Sequence, residues 1–139
     1  MRANSIDLAT LNAILKRSGE KFGSEPEEEF AFQCRAHKLP AFEREVRFAE
    51  ERFGKGWRFD FAWQRYYVAL EVEGIVQKFK SGTLYSEGRH ATVKGFEQDA
   101  IKYAHAAILG WHVLRFTPSQ VRDGTAIDLT MRVLRSKGW

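Results

Sequence analysis

Three carboxylates lie on two neighbouring segments of this 139-residue chain whose patterns are typical of β-strands. In residues 57–63, large apolar residues alternate with others, so Asp60 is predicted to face away from them. In residues 67–73, Glu71 and Glu73 share a face. If the chain reverses between the two segments, Asp60 lies opposite Glu71. Carboxylates this close repel one another unless a hard cation such as Mg²⁺ lies between them, so the spacing favours a metal site.

The same acidic residues also have a simpler explanation. A solvent-exposed hairpin face commonly carries glutamates that have no chemical role, and Glu71 and Glu73 fit that description as well. The strand pattern alone is compatible with a metal site and with a solvated face, and the rest of the chain is needed to choose between these two interpretations.

Length and composition indicate one soluble domain. The chain is 44% hydrophobic and 14% aromatic, which is enough for one core at this length. No run approaches the roughly 18 apolar residues of a membrane span, and the first residues lack the apolar stretch of a signal peptide. We therefore expect a cytoplasmic protein with no membrane partner. The single cysteine, Cys34, excludes an internal disulfide and, with four scattered histidines, argues against structural zinc.

Charge is unevenly distributed along the chain. Residues 1–74 carry 12 Lys and Arg against 13 Asp and Glu, whereas residues 75–139 carry 10 against 5. Basic residues supply a sequence-independent attraction to the nucleic-acid backbone. The distribution favours a nucleic-acid partner, although an ordinary basic protein would also show it.

Periodicity and turn residues predict the elements that must position these side chains. The order is helix, helix, three strands, helix, strand and helix, which is an α/β domain on a mixed sheet. The last strand is reached through a helix and is therefore expected to join the sheet in parallel. Residues 1–20 are predicted to be an N-terminal helical extension, residues 21–139 a single domain, and residues 78–95 a long polar loop.

Two predicted helices carry further candidate residues. Apolar residues follow Glu27 at helical spacing, which places it on a buried stripe. Ser24 and Glu27 equally predict a capping box, in which the glutamate only satisfies a backbone donor. The helix over residues 96–109 is expected to bury a stripe of five residues: Phe96, Ala100, Tyr103, Ala104 and Ala107. Asp99 and Lys102 lie along one flank of that stripe.

Taken in order, these features resemble the PD-(D/E)xK nuclease superfamily. The resemblance points in particular to small phage and bacterial members related to very-short-patch repair endonucleases, whose acidic and histidine pattern is written EDxHD. It covers roughly residues 27–121. Its parts are Glu27, residues 44–48, residues 57–63, residues 71–74, residues 88–90, Asp99 with Lys102, and residues 110–116.

The resemblance implies a restriction-endonuclease-like core, with a mixed sheet flanked by helices, in a protein of a bacterial or phage-infected cell. It implies a Mg²⁺-dependent endodeoxyribonuclease in which Mn²⁺ can substitute for Mg²⁺. Metal would be held by Asp60, Glu71 and Glu73. The catalytic set would be completed by Glu27, His90, Asp99 and Lys102.

One departure from the family pattern concerns Glu73, which stands where the motif usually has lysine. A glutamate cannot stabilise the negative charge that grows on the phosphate. Two replacements are open. His90 can act as general acid or base, with Glu73 helping to bind metal, or Lys102 can reach over the sheet from its helix. His90 ranks first, because a lysine on a helix flank is commonly solvated.

The partner implied is DNA, and the resemblance also implies that two copies can pair. Four basic residues are candidates for phosphate contacts: Lys78, Lys80, Arg89 and Lys94. Two other functions stay open. The missing motif lysine fits a catalytically inactive, nuclease-derived DNA-binding module, and an RNA-directed nuclease would need the same carboxylates.

Overall fold

A computed structural model of the chain describes residues 24–74, 76–80, 83–87 and 92–139, and only the backbone of residues 76–80 and 83–87. The strands are β1 (Glu43–Arg47), β2 (Arg58–Trp63), β3 (Val68–Val72), β4 (Val76–Lys80), β5 (Thr83–Glu87) and β6 (His112–Phe116). The helices are α1 (Glu25–Ala36), α2 (Glu50–Phe53), α3 (Val93–Ile108), α4 (Pro118–Arg122) and α5 (Thr125–Ser136). The predicted helix over residues 1–20 lies outside the described residues.

The chain divides into two compact units. One, the central unit, is residues 42–118; within the described residues the other, the terminal unit, comprises residues 24–41 and 119–139. The single-domain organisation stays a prediction.

The sheet of the central unit has the order β1-β2-β3-β6. β2 is antiparallel to β1 and to β3, whereas β6 is parallel to β3. The parallel pairing follows from the connection through α3, since a parallel neighbour needs a long crossover. The predicted α/β class and mixed sheet with a late parallel strand are confirmed.

The prediction of a long polar loop over residues 78–95 was wrong for the described part of this segment. Much of it forms a separate antiparallel ribbon of β4 and β5, in which Lys78 pairs with Tyr85 and Lys80 with Thr83. The two strands satisfy one another's backbone hydrogen bonds, which a search for amphipathic periodicity does not detect. α3 also begins earlier than expected, at Val93, where the Thr92 hydroxyl accepts a hydrogen bond from Gly95 N at 2.9 Å.

In the terminal unit, α1 begins with the predicted capping box. Ser24 N donates to Glu27 Oε2 at 2.8 Å, and Glu27 N donates to Ser24 Oγ at 3.4 Å. Phe30, Ala31 and Cys34 are buried. Gln33 Nε2 donates to the Val121 carbonyl at 3.1 Å and so ties α1 to α4.

The predicted buried face of α3 was also wrong. The buried residues are Gly95, Asp99 and Ala106, with Lys102 and Tyr103 partly buried beside them. The apolar stripe at Phe96, Ala100, Ala104 and Ala107 is exposed. The face of α3 that meets the sheet carries Asp99, Lys102 and Tyr103, so the apolar stripe of this helix indicated the opposite face.

Side chains of β2 do not alternate regularly through the strand. Phe59 and Ala62 pack in one cluster with Ala69 and Ala106, although residues three apart in a regular strand face opposite ways. Phe61, by contrast, packs edge-on against Phe42. The alternation is interrupted around Asp60, which corrects the expectation that Phe59 and Phe61 share a face.

Candidate metal and phosphate site

A cleft of about 330 Å³ opens in the central unit beside the irregular part of β2. Its wall carries five carboxylates and two basic side chains. The lining residues that carry charge are Glu45, Arg58, Asp60, Glu71, Glu73, Asp99 and Lys102. The cleft therefore gathers all three carboxylates predicted to bind metal, together with Asp99 and Lys102.

The backbone register places the site residues level with one another across four strands. Glu71 pairs with Arg115 on β6. Asp60 lies one residue beyond the Phe61–Leu70 pair, and so is level with Glu71, as predicted. Glu45 lies on β1 between two residues that pair with β2, which makes it level with Asp60.

Glu45 and Asp60 come close at the point where β1 and β2 are irregular. A carboxylate oxygen of Glu45 lies within 4.8 Å of one of Asp60. Glu45 has a φ of 51°, a left-handed conformation that is uncommon for a residue other than glycine. Such backbone strain is concentrated at functional sites, where it aims a side chain. Val72 N donates to Asp60 Oδ2 at 2.8 Å, which holds that carboxylate against β3.

Two residues of α3 donate hydrogen bonds to the carboxylate of Glu71. Lys102 Nζ donates to Oε1 and the Tyr103 hydroxyl donates to Oε2. Only 12% of the Lys102 side chain is exposed, so the expectation of a solvated lysine was wrong. Its amine enters the cleft because the true buried face of α3 includes position 102 rather than leaving it on a flank.

Tyr103 is held in its protonated form. Burial raises its pKa, and the hydrogen bond to Glu71 and the negative charges of Glu71 and Glu73 raise it further, against the lowering effect of Arg115. The hydroxyl therefore remains a donor to Glu71 throughout the neutral pH range.

Arg115 links two buried carboxylates that approach from different elements. Its Nε donates to Glu73 Oε1, and its Nη2 donates to Asp99 Oδ2 at 3.4 Å. The guanidinium also lies 4.3 Å from the centre of the Tyr103 ring. Burial lowers the pKa of Arg115, but the bond to Glu73 and the neighbouring charges, including Asp99, raise it overall. Arg115 thereby positions the segment after β3 against α3 and β6.

The cleft carries an excess of negative charge among the described residues. Five carboxylates line it, and three cations lie on them: Arg58, which is 3.9 Å from Glu45, together with Lys102 and Arg115. Among the described residues, the carboxylates of the cleft outnumber these cations by two. A divalent cation would balance this difference, and the site offers carboxylate oxygens, the ligands that Mg²⁺ prefers.

The other candidate residues are placed as follows. Lys94 is exposed in the first turn of α3, Lys78 and Lys80 lie on β4, and Glu27 caps α1. Arg89 and His90 lie outside the described residues, so their roles stay predictions.

Three residues of the site were missed by sequence reasoning: Glu45, Tyr103 and Arg115. Glu45 was visible on the polar face of its strand, and Arg115 lies within a segment that carries the family resemblance. Neither had a local signal that tied it to the carboxylates. Tyr103 was assigned to the apolar stripe of its helix, which is why its hydroxyl was overlooked.

No protein-family model matches this chain, and comparison with curated proteins and with solved structures yields no significant match. Within the described residues, no helix is both long and apolar enough to cross a membrane. Function must therefore be argued from the cleft itself.

Proposed function

We propose that this protein is a metal-dependent endodeoxyribonuclease with a restriction-endonuclease-like core. The observation that carries the proposal is the meeting of Asp60, Glu71 and Lys102 in one cleft. Two carboxylates and a lysine are the groups whose joint presence the resemblance requires. The lysine comes from α3 rather than from the strand, which compensates for the glutamate at position 73.

The donor set fits a divalent metal. Asp60 and Glu45 offer carboxylate oxygens close together, and Glu71 lies level with Asp60 on the adjacent strand. Glu73 is bound by Arg115, so we assign it to the support of the site rather than to the metal. A bound Mg²⁺ would lower the pKa of its water and compensate charge on the phosphate oxygens.

Lys102 has two tasks in this proposal. Its amine balances the charge of Glu71 in the resting protein. With a cation held by the carboxylates, this amine would be available to orient water and to stabilise the negative charge that develops on the phosphate. The Tyr103 hydroxyl donates to the other oxygen of Glu71 and so would keep the carboxylate oriented. Positioned donors of this kind act without reorganisation at the moment of reaction.

The proposal is tested by incubating supercoiled plasmid and a labelled four-way junction with the protein in Mg²⁺, Mn²⁺ or EDTA. We expect metal-dependent nicking or cutting that Asp60→Asn abolishes, with DNA binding kept or tightened because one negative charge is removed. Asp128→Asn, which changes an exposed aspartate on α5, is the matched control and should cut normally. Cleavage by Asp60→Asn at the wild-type rate would refute the proposal.

A second variant tests the lysine. Lys102→Met keeps most of the side-chain volume and removes the charge, and we expect it to slow cleavage by about 10²–10³-fold, as for loss of one transition-state donor. Lys137→Met at the exposed end of the chain should leave the rate unchanged. If Lys102→Met cuts normally while Asp60→Asn does not, the chemistry depends on another base and His90 becomes the candidate.

One observation favours the alternative of an inactive DNA-binding module. Glu71 is already neutralised by Lys102 and has its second oxygen bound by Tyr103, so Glu71 is satisfied without metal. This alternative predicts DNA binding with intact DNA in every metal condition. The same plasmid assay, run beside a binding assay, separates the two.

A further inference from the structure

α3 presents a broad apolar face that no described residue covers. Val93 is 77% exposed, Phe96 69%, Ile101 52% and Ile108 61%, and Ala100, Ala104 and Ala107 between them are exposed as well. Glu97 is the charged residue of this arc. A broad apolar helix face is ordinarily covered, and here the sheet contacts the opposite face of α3, which carries Asp99, Lys102 and Tyr103.

The arrangement of residues along this face is symmetric. Phe96, Ala100, Ala104 and Ile108 follow one another at four-residue steps and form a single ridge on the helix surface, with large residues at both ends and alanines in the middle. A two-fold axis between Ala100 and Ala104 would bring Phe96 of one helix against Ile108 of a second. The ridge is therefore complementary to itself, as a two-fold interface requires.

We propose that this face of α3 is the interface between two copies of the chain, crossing antiparallel at Ala100 and Ala104. When ridges of this four-residue kind interdigitate, helix axes cross at about 50° and separate toward their ends. Small residues belong at such a crossing because the backbones are closest there. Large residues belong farther out, where the gap widens, and that is where Phe96 and Ile108 lie.

The exposed area also fits a dimer. The 16 residues of α3 span roughly 24 Å, and the exposed apolar residues along it form a patch on the order of the largest that monomers show, about 300–600 Å². A standard interface buries about 800 Å² on each partner. The ridge and its neighbours would supply the apolar centre of such an interface and leave a polar rim.

The test is the molar mass of the full chain in solution, measured by sedimentation equilibrium between about 1 and 100 µM, concentrations that span Kd values typical of specific association. The chain has a mass of 16.1 kDa, and we expect twice that value for the wild type. Ala104→Glu should return the mass to that of a monomer, because the new charge would lie at the crossing point. Phe96→Ser should do the same. Both positions are exposed, so circular dichroism should show each variant folded.

Leu129→Glu is the matched control, since it places the same charge at a partly exposed apolar position on α5 and should leave the dimer intact. A wild type that is monomeric across the whole concentration range would overturn the proposal. That is the result expected if another segment of the chain covers this face of α3. A dimer that survives both variants of α3 would also overturn it. The measurement uses neither DNA nor metal, so its outcome is independent of nuclease activity.

Cysteine crosslinking tests the antiparallel crossing. A mixture of Ala100→Cys and Ala104→Cys chains should form a disulfide-linked dimer faster than either variant alone, whereas Cys34 is buried and should not crosslink the wild type. Faster crosslinking within one variant than in the mixture would overturn this geometry.

Discussion

At the scale of single residues, the site depends on which groups hold Glu71. Lys102 and Tyr103 are consecutive in the chain, yet they donate to different oxygens of the same carboxylate. Consecutive helical residues are about 100° apart around the helix axis, so their side chains reach Glu71 from two sides. Sequence reasoning ranked Lys102 below His90 since a flank position commonly faces water. Because Asp99 and Ala106 are buried, Lys102 lies on the face of α3 that meets the sheet and not toward water.

The raised pKa of Tyr103 predicts a loss of stability at alkaline pH. The pKa of Tyr103 is higher in the folded protein than in the unfolded chain, where a tyrosine has a pKa of about 10. The stability that this group contributes is therefore fully present below about pH 10 and is lost as the pH rises toward the pKa of the folded protein. Above about pH 10 the unfolded chain releases this proton while the folded chain keeps it.

Urea unfolding at pH 8 and at pH 10.5 measures this loss. We expect the wild type to lose more stability than Tyr103→Phe between the two pH values. Tyr67→Phe, which changes an exposed tyrosine, should behave like the wild type. Equal losses in wild type and Tyr103→Phe would show that this phenol ionises normally.

At the scale of elements, the cleft lies where β1 and β2 are irregular at the same level. Glu45 in its left-handed conformation and Asp60 face one another there. A period-2 pattern read from the sequence assigns every residue of β2 to one of two faces and cannot show this interruption. Asp60 was nevertheless predicted correctly to lie in the cleft, because the interruption changes the faces of its neighbours and leaves Asp60 in the lining.

Arg115 is expected to stabilise the contact of β6 with α3 and with the segment after β3. Arg115→Met would leave the buried carboxylates of Glu73 and Asp99 without its charge, and loss of one partner of a buried pair typically costs about 3–5 kcal/mol. Because the Arg115 side chain is 38% exposed, we expect a loss of about 2–3 kcal/mol, at or below the lower end of that range.

Denaturant unfolding measures the effect of Arg115→Met. Arg135→Met, at an exposed position near the end of α5, is the control and should change stability little. Adding Glu73→Gln to Arg115→Met should recover part of the loss, because one uncompensated charge is removed. Equal stability of Arg115→Met and wild type would contradict the role assigned to this bridge.

At the scale of the whole molecule, the acidic cleft and the basic later half would have different roles in the proposed nuclease. Residues 75–139 carry a net charge of +5, which suits attraction to DNA, while the carboxylates concentrate in the cleft where a cation would lie. Four basic residues in that half were predicted to contact phosphates.

Salt dependence measures those contacts. If Lys78, Lys80, Arg89 and Lys94 each contact one phosphate, the logarithm of the DNA association constant should fall with the logarithm of salt concentration with a slope of about −3 to −4. Replacing Lys94 by alanine should make the slope shallower by about 1, whereas Lys137→Ala should leave it unchanged. Fluorescence anisotropy in EDTA gives the slope without cleavage. A slope near zero would exclude this mode of binding.

Sequence alone determined the α/β class, the strands β1, β2, β3 and β6, the capping box of α1 and the level pairing of Asp60 with Glu71. These follow from local signals: strand alternation, capping residues and a short reversal that leaves little choice of register. The tertiary structure decided which residues complete the site. Lys102 and Tyr103 lie 31 and 32 positions from Glu71, and Arg115 lies 42 from Glu73. The contacts of Lys102 and Tyr103 depend on which face of α3 meets the sheet, and the apolar stripe of this helix indicates the opposite face.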